Sequence, residues 1–212
     1  MKENKQHKHI LTIVQLALLI AIMLVLELTG LGMLHFGPLE MTILQFPVIV
    51  GAILMGPAAG AGLGLVFGLI CFWECFGKSA FGASLLAINP IFTFLVCVPT
   101  RTFMGFLCGL IFKLVQKMVV SQKENPSQGR KLVPYITASL CGALLNTLFF
   151  MSALLLLFST TEYIQGFIAV SGTNNLLMFA FWFVGAQGIV EAFLCAFLGA
   201  VISRAVNAII KK

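Results

Sequence analysis

Residues 47–68 read PVIVGAILMGPAAGAGLGLVFG, two apolar runs separated by the dipeptide Gly56-Pro57. Neither run carries a charge, and neither shows the alternation of polar and apolar residues that is typical of a half-buried strand. Gly-Pro is a strong turn signal. The stretch therefore predicts two apolar helices joined by a tight turn.

The composition of the whole chain agrees with such helices. Of its 212 residues 60% are hydrophobic and only 9% are charged, and the mean hydropathy is +1.06. A soluble domain carries about 25% charged residues. In lipid, backbone groups must pair within helices or closed barrels, and the long continuous apolar runs favour helices. The sequence therefore predicts an all-α integral membrane protein.

Six apolar segments are predicted to span the bilayer as one bundle, a single membrane domain covering 1–212. The second is shortened and broken by Pro47, and a polar loop at 119–132 is the clearest linker. A loop holding Lys78, Ser79 and Ser84 follows the third span, and a polar loop with an apolar centre precedes the sixth. The predicted spans are residues 10–28, 40–55, 58–76, 89–116, 133–158 and 175–203.

Positive charge predicts the orientation of the bundle. Lysine and arginine cluster before the first span, around the loop after the fourth and after the sixth, whereas the opposite loops hold only Lys78. Basic residues concentrate on the cytoplasmic side of membrane proteins. Both termini are therefore predicted to be cytoplasmic. The formal charge of +6 then reflects topology and contact with anionic lipid, with no nucleic-acid partner.

Small residues recur at helical spacing on several predicted spans. Gly60, Gly64 and Gly68 share one face of the third, and this spacing lets a neighbouring helix approach closely. Most such stripes are predicted to be internal packing. Ala17 and Ala21 form a similar pair of small residues on the first span.

Polar side chains inside the apolar segments are candidates for substrate binding, because such groups are costly in lipid. Most of the amides fall in the outer half of the proposed bundle, where a cavity open to the outside would suit a small polar molecule. The candidate substrate-binding residues are Gln45, Trp73, Asn89, Arg101, Asn146, Asn174, Asn175, Gln187 and Glu191.

Arg101 near the middle of the fourth span has two interpretations. It could pair with Glu191 and hold two helices together, or its guanidinium could bind the carboxylate of an anionic substrate. The two roles are compatible, since a substrate and Glu191 could share one guanidinium.

Enzymatic motifs are weak. Gly-Lys-Ser at 77–79 lacks the earlier glycine of a phosphate-binding loop, because Phe72 stands in its place. No histidine is placed beside a nucleophile or a second metal ligand, and the six cysteines lie in apolar stretches without CxxC spacing. We therefore expect no ATPase in this chain, no catalytic residues, no metal and no cofactor.

Several stretches in order resemble the substrate-binding S components of energy-coupling factor (ECF) transporters. These are the AxxxA motif within 16–21, the Pro-Val-Ile-x-Gly-Ala run leading into Gly-Pro within 47–68, the fourth span over 98–113 and the closing helix over 188–202. The resemblance touches most of the chain.

The resemblance implies a high-affinity binding subunit for a water-soluble vitamin in the bacterial plasma membrane. Such a subunit docks on an ECF module, a membrane coupling subunit with two cytoplasmic ATPases, through the AxxxA face. That role carries over to Ala17 and Ala21.

Among S components the pattern looks most like the group that binds pantothenate. Arg101 would suit the carboxylate of that substrate. The sequence departs from that pattern at Pro99-Thr100-Arg101, where an adjacent Pro-Arg is usual, and at Gln45, near where a histidine often precedes the proline. Another vitamin, such as riboflavin, pyridoxine or hydroxymethylpyrimidine, stays open. The alternative class is a stand-alone secondary carrier or channel for a small polar solute.

Overall fold

The structure, a computed structural model, describes residues 2–36, 39–119 and 127–170, and further along the chain residues 188, 191, 193–197, 201 and 205. Its continuous part consists of helices and one short hairpin. The helices are α1 (Lys2–Leu28), α2 (Gln45–Met55), α3 (Pro57–Glu74), α4 (Ala80–Ile88), α5 (Pro90–Val119), α6 (Gln128–Phe158) and α7 (Glu162–Val170). The strands are β1 (Met33–Phe36) and β2 (Leu39–Thr42).

Four helices among the described residues are long and apolar enough to cross a membrane. They are Ile10–Leu28 within α1, the whole of α3 and α5, and Gly129–Phe158 within α6. This supports the predicted helical membrane protein. The predicted sixth span, 175–203, lies mostly outside the described residues.

The second predicted span is shorter than expected. It was predicted over residues 40–55, but α2 begins at Gln45 and has 11 residues, a length of about 16 Å against the ~30 Å of the hydrocarbon core. Pro47 does not break the helix, because it lies in the first turn, where a backbone N–H has no helical partner to lose. Helix α2 therefore covers about half of the bilayer thickness.

The described chain is all-α apart from one short hairpin. Strands β1 and β2 pair antiparallel between α1 and α2, with His35 opposite Glu40 and Met33 opposite Thr42. A segment outside the apolar spans can satisfy its backbone groups by strand pairing as well as by a helix. The residues 40–42, assigned to the second span, belong to this hairpin.

Two predicted loops contain helices. The loop with Lys78, Ser79 and Ser84 continues into α4, because Ser79 caps that helix by accepting a hydrogen bond from the Gly82 N–H at 3.0 Å. The predicted polar loop before the sixth span contains α7. The predicted cytoplasmic loop 119–132 is shorter, since α5 runs to Val119 and α6 begins at Gln128.

Helices α4 and α7 are held by an aromatic cluster. The ring of Phe81 in α4 lies 6.0 Å from that of Tyr163 and 6.3 Å from that of Phe167, both in α7. Phe158 at the end of α6 is fully buried in the same cluster. These apolar contacts pack both short helices against α5 and α6.

The backbones of α3 and α5 touch along a line of glycines. A methyl group on Gly60 would overlap the carbonyl of Gly105, and one on Gly64 would overlap the carbonyl of Arg101. At Gly68 it would lie 2.7 Å from the Val98 Cα atom, closer than real side chains approach. The predicted glycine stripe is thus internal packing, and it fixes the position of Arg101 relative to α3.

We expect Gly64→Ala to destabilise the protein by about 1–3 kcal/mol, the range for overpacking, because the new methyl group must push α5 away. Gly62→Ala is the matched control, since a methyl group at Gly62 meets no atom within 4 Å. Thermal unfolding of the purified variants in detergent measures the difference. Equal melting temperatures for Gly64→Ala and Gly62→Ala would contradict the close contact.

Candidate functional site

Arg101 is buried in the centre of α5, with 7% of its surface exposed. Its Nη1 donates hydrogen bonds to the Val96 carbonyl at 2.8 Å and to the Thr100 hydroxyl at 3.2 Å. Pro99 lies between these residues and has no backbone N–H, so it interrupts the hydrogen-bond ladder of the helix here. The side chain therefore folds back along α5 toward the helix start.

Two aromatic rings from neighbouring helices enclose the guanidinium. Its Cζ lies 5.5 Å from the ring centre of Phe67 in α3 and 4.9 Å from that of Phe150 in α6. Rings at this distance stabilise a cation by about 0.5–2 kcal/mol. They also exclude water and hold the guanidinium between α3, α5 and α6.

The charge of Arg101 is not balanced by a carboxylate among the residues that the structure describes. Its Nε has no hydrogen-bond partner there. A buried cation without a countercharge is costly, and a bound anion would compensate for that cost. Arg101 is therefore a candidate for binding a carboxylate.

Gln45 is a second buried polar group without a partner. It opens α2, is fully buried, and neither its Oε1 nor its Nε2 has a hydrogen-bond partner among the described residues. Burying such a group unpaired costs about 1–3 kcal/mol. Gln45 is thus a candidate donor and acceptor for a bound molecule.

Asn146 lies at the level of Gln45 on the facing helix. The register follows from Gly142 in α6, where a methyl group would lie 3.0 Å from Ile49 Cγ1 in α2. The two helices are antiparallel. Gln45 lies one turn before Ile49 in α2, and Asn146 lies one turn after Gly142 in α6. Both are therefore displaced in the same direction along the bundle. Asn146 is also one turn before Phe150, the ring that covers Arg101.

Gln45, Arg101 and Asn146 therefore form one candidate site between α2, α5 and α6. It offers a cationic fork and two amides, a set that suits a small molecule with a carboxylate and neutral hydrogen-bonding groups. Asn146 is 9% exposed, so all three residues are largely shielded from solvent.

Other candidate residues lie elsewhere. Trp73 near the end of α3 is 72% exposed and packs against Phe76, away from the guanidinium. Asn89 has a capping role, because its Oδ1 accepts hydrogen bonds from the Ile91 and Phe92 N–H groups at the start of α5. Glu191 is 3% exposed, beside Cys195.

Three further candidates, Asn174, Asn175 and Gln187, lie outside the described residues.

Sequence reasoning missed the aromatic enclosure. Phe67 and Phe150 are two of 20 phenylalanines, and hydrophobicity alone does not separate them from the rest. Phe150 is one helical turn after Asn146, and Phe67 is close to the glycine that touches Arg101. Those two spacings are the sequence signal that could have identified the rings around Arg101.

The tripeptide Gly77-Lys78-Ser79 has a structural role. Gly77 adopts a φ of +140°, which favours glycine, and Ser79 caps α4. Lys78 forms an ion pair with Glu27 near the end of α1 and also donates to the Glu27 carbonyl at 2.8 Å. This contact, which we name the Glu27–Lys78 clasp, ties α1 to the turn after α3.

The fold is that of a multi-pass membrane protein, and it contains a buried candidate site for a small solute. A family model for the substrate-specific component of ECF transporters matches residues 11–203. The chain therefore belongs to this family, whose members bind substrate for a transporter and are not enzymes.

Two relatives carry more specific names. The pantothenic acid transporter PanT of Lactococcus lactis is 30% identical over 176 residues, which cover 76% of this chain and 82% of that protein. The pantothenate transporter PanT of Leuconostoc mesenteroides is 30% identical over 114 residues, 53% of each chain.

We expect Gln45→Met to raise the melting temperature of the ligand-free protein, because it removes two buried atoms without partners at nearly constant volume. Gln165→Met is the matched control, since Gln165 is exposed and its Nε2 donates to the Ser159 carbonyl at 2.6 Å. Thermal unfolding in detergent compares the two. A Gln45→Met protein that melts below the wild type would show that Gln45 stabilises the fold.

Proposed function

We propose that this chain is the pantothenate-binding component of an ECF transporter. The observation that carries the proposal is the Arg101 guanidinium, buried between two aromatic rings with no carboxylate partner among the described residues. Pantothenate has one carboxylate for that guanidinium. Its hydroxyls and amide match the amide groups of Gln45 and Asn146. The two named relatives support the same substrate class.

The proposed topology has six spans with both termini in the cytoplasm of a bacterial cell. Exposed basic residues support this topology. Lys117 lies near the end of α5, and Arg130 and Lys131 lie near the start of α6. The start of α1 carries further lysines, and the alternation of the helices brings it to the same side of the bundle. The clasp and Arg101 then lie toward the outside.

Transport requires a partner that supplies energy. We propose that an ECF module of one membrane coupling subunit and two cytoplasmic ATPases docks on α1. Only 11% of the apolar part of α1 is buried against the bundle, and Ala17 and Ala21 are both exposed. Two small residues one turn apart let a partner helix approach the α1 backbone closely.

Arg101→Ala should weaken pantothenate binding by at least about thirtyfold, because it removes the charged partner of the substrate carboxylate. Equilibrium binding of radiolabelled pantothenate to the purified chain measures the loss. Arg130→Ala, which removes an exposed arginine at the other end of α6, is the control.

Pantothenyl alcohol has a hydroxymethyl group in place of the carboxylate. It tests whether the guanidinium binds the carboxylate of pantothenate. The wild type should bind it weakly, and Arg101→Ala should bind it no more weakly than the wild type does. A wild type that binds the alcohol as tightly as pantothenate would reject a carboxylate contact with Arg101. Tight binding of riboflavin or pyridoxine instead would reassign the substrate.

Ala17→Trp should leave pantothenate binding intact and lower uptake by cells with the ECF module by at least about tenfold, since the indole blocks close helix contact. Ile22→Trp is the control, because Ile22 is also exposed but lies about 100° round the helix from Ala21. Full uptake by Ala17→Trp would exclude this face as the docking surface. Uptake by the chain alone in sealed vesicles would favour a stand-alone carrier.

A further inference from the structure

A cavity lies at the end of the bundle opposite the clasp. Its volume is about 310 Å³. It opens between the turn from α2 to α3, the last part of α5 and the first part of α6. Its lining residues are Ile53, Leu54, Met55, Gly56, Phe112, Lys113, Gln116 and Tyr135.

This cavity is separate from the Arg101 site. Lys113 follows Arg101 by twelve residues on α5, which places their Cα atoms about 18 Å apart along the helix. Lys113 comes six residues before the end of α5, and Tyr135 comes seven residues after the start of α6. Each is thus about 10 Å from the end of its helix, near the boundary of hydrocarbon and headgroups.

Three hydrogen-bonding side chains line the cavity. Lys113 reaches over the α2–α3 turn, and its Nζ would lie 3.2 Å from a methyl group placed on Gly56. Gln116 is one turn further along the same face of α5, and Tyr135 contributes a phenol from α6. No ion pair or hydrogen bond ties the Lys113 ammonium to another described side chain.

The opposite wall of the cavity is apolar. Ile53 and Leu54 of α2 belong to it, as does Phe112, whose ring packs edge-on against Tyr135 at 5.0 Å. Leu54 is 49% exposed on the outer surface of the bundle, where lipid would contact it. A cation with two neutral donors beside an apolar wall, at headgroup depth, is the chemistry that an anionic phospholipid requires.

We propose that this cavity binds the phosphate headgroup of an anionic phospholipid. Lys113 supplies the positive charge, Gln116 and Tyr135 donate hydrogen bonds to the phosphate oxygens, and the Leu54 side contacts the glycerol and the first acyl carbons. Because the site touches α2, α5, α6 and the turn between α2 and α3, a bound lipid would stabilise the end of the bundle away from the substrate.

The test is native mass spectrometry of the full chain released from bilayers containing equal amounts of phosphatidylglycerol and phosphatidylcholine. The wild type should retain phosphatidylglycerol selectively. Lys113→Gln should lower that retention about fivefold, the contribution of one cation at a membrane surface. Lys117→Gln is the matched control, since it removes an exposed lysine of the same helix that does not line the cavity.

Tyr135→Phe separates a built site from general attraction to negative lipid, because it leaves every charge in place. A loss of selective retention in both Lys113→Gln and Tyr135→Phe, with Lys117→Gln unchanged, supports the proposal. Equal losses in Lys113→Gln and Lys117→Gln would overturn it, as would undiminished retention in Lys113→Gln.

Inorganic phosphate is the third ligand tested. Binding of inorganic phosphate without retention of phosphatidylglycerol would overturn the assignment to lipid. Pantothenate binding by Lys113→Gln reports whether the variant is folded.

Discussion

The close contact between α3 and α5 is the constraint on which the rest of the structure depends. Gly60 and Gly105 meet backbone to backbone, and Gly64 rests on the carbonyl of Arg101. In a membrane, helices gain little from excluding water, so close van der Waals packing must supply their association. Glycines provide this packing, and their regular spacing sets the height of Arg101 relative to Phe67. The position of the guanidinium is therefore a consequence of backbone contact.

Some polar atoms in the interior of this bundle have no hydrogen-bond partner among the described residues. They include the Arg101 Nε, whereas its Nη1 is hydrogen-bonded, and both side-chain amide atoms of Gln45. A chain selected only for stability would replace such groups by apolar residues of similar volume, because unpaired polar atoms cost free energy when buried. Their convergence from separate helices is the feature that links this fold to binding a solute.

Helix α1 packs against the bundle along one face. Met23 and Glu27 are buried there and several neighbouring apolar residues are partly buried against the core, whereas Ala17, Ala21 and many large apolar side chains are exposed. The Glu27–Lys78 clasp fastens the end of this helix. A helix attached in this way can present its open face to a partner without disturbing the Arg101 site. Substrate binding and energy coupling can thus use different surfaces of one small protein.

The sequence by itself determined the membrane class and the apolar segments, because hydrophobic length is a local property of the chain. It also made Arg101 a candidate site residue, because a charge inside an apolar segment is costly. It misplaced the start of α2 and missed the hairpin and α4, since short polar connections take their structure from neighbours. Only the tertiary structure separated Gln45 and Asn146, which are buried, from Trp73, which is exposed. Residues far apart in the chain meet through helix register, and register depends on packing that no single segment encodes.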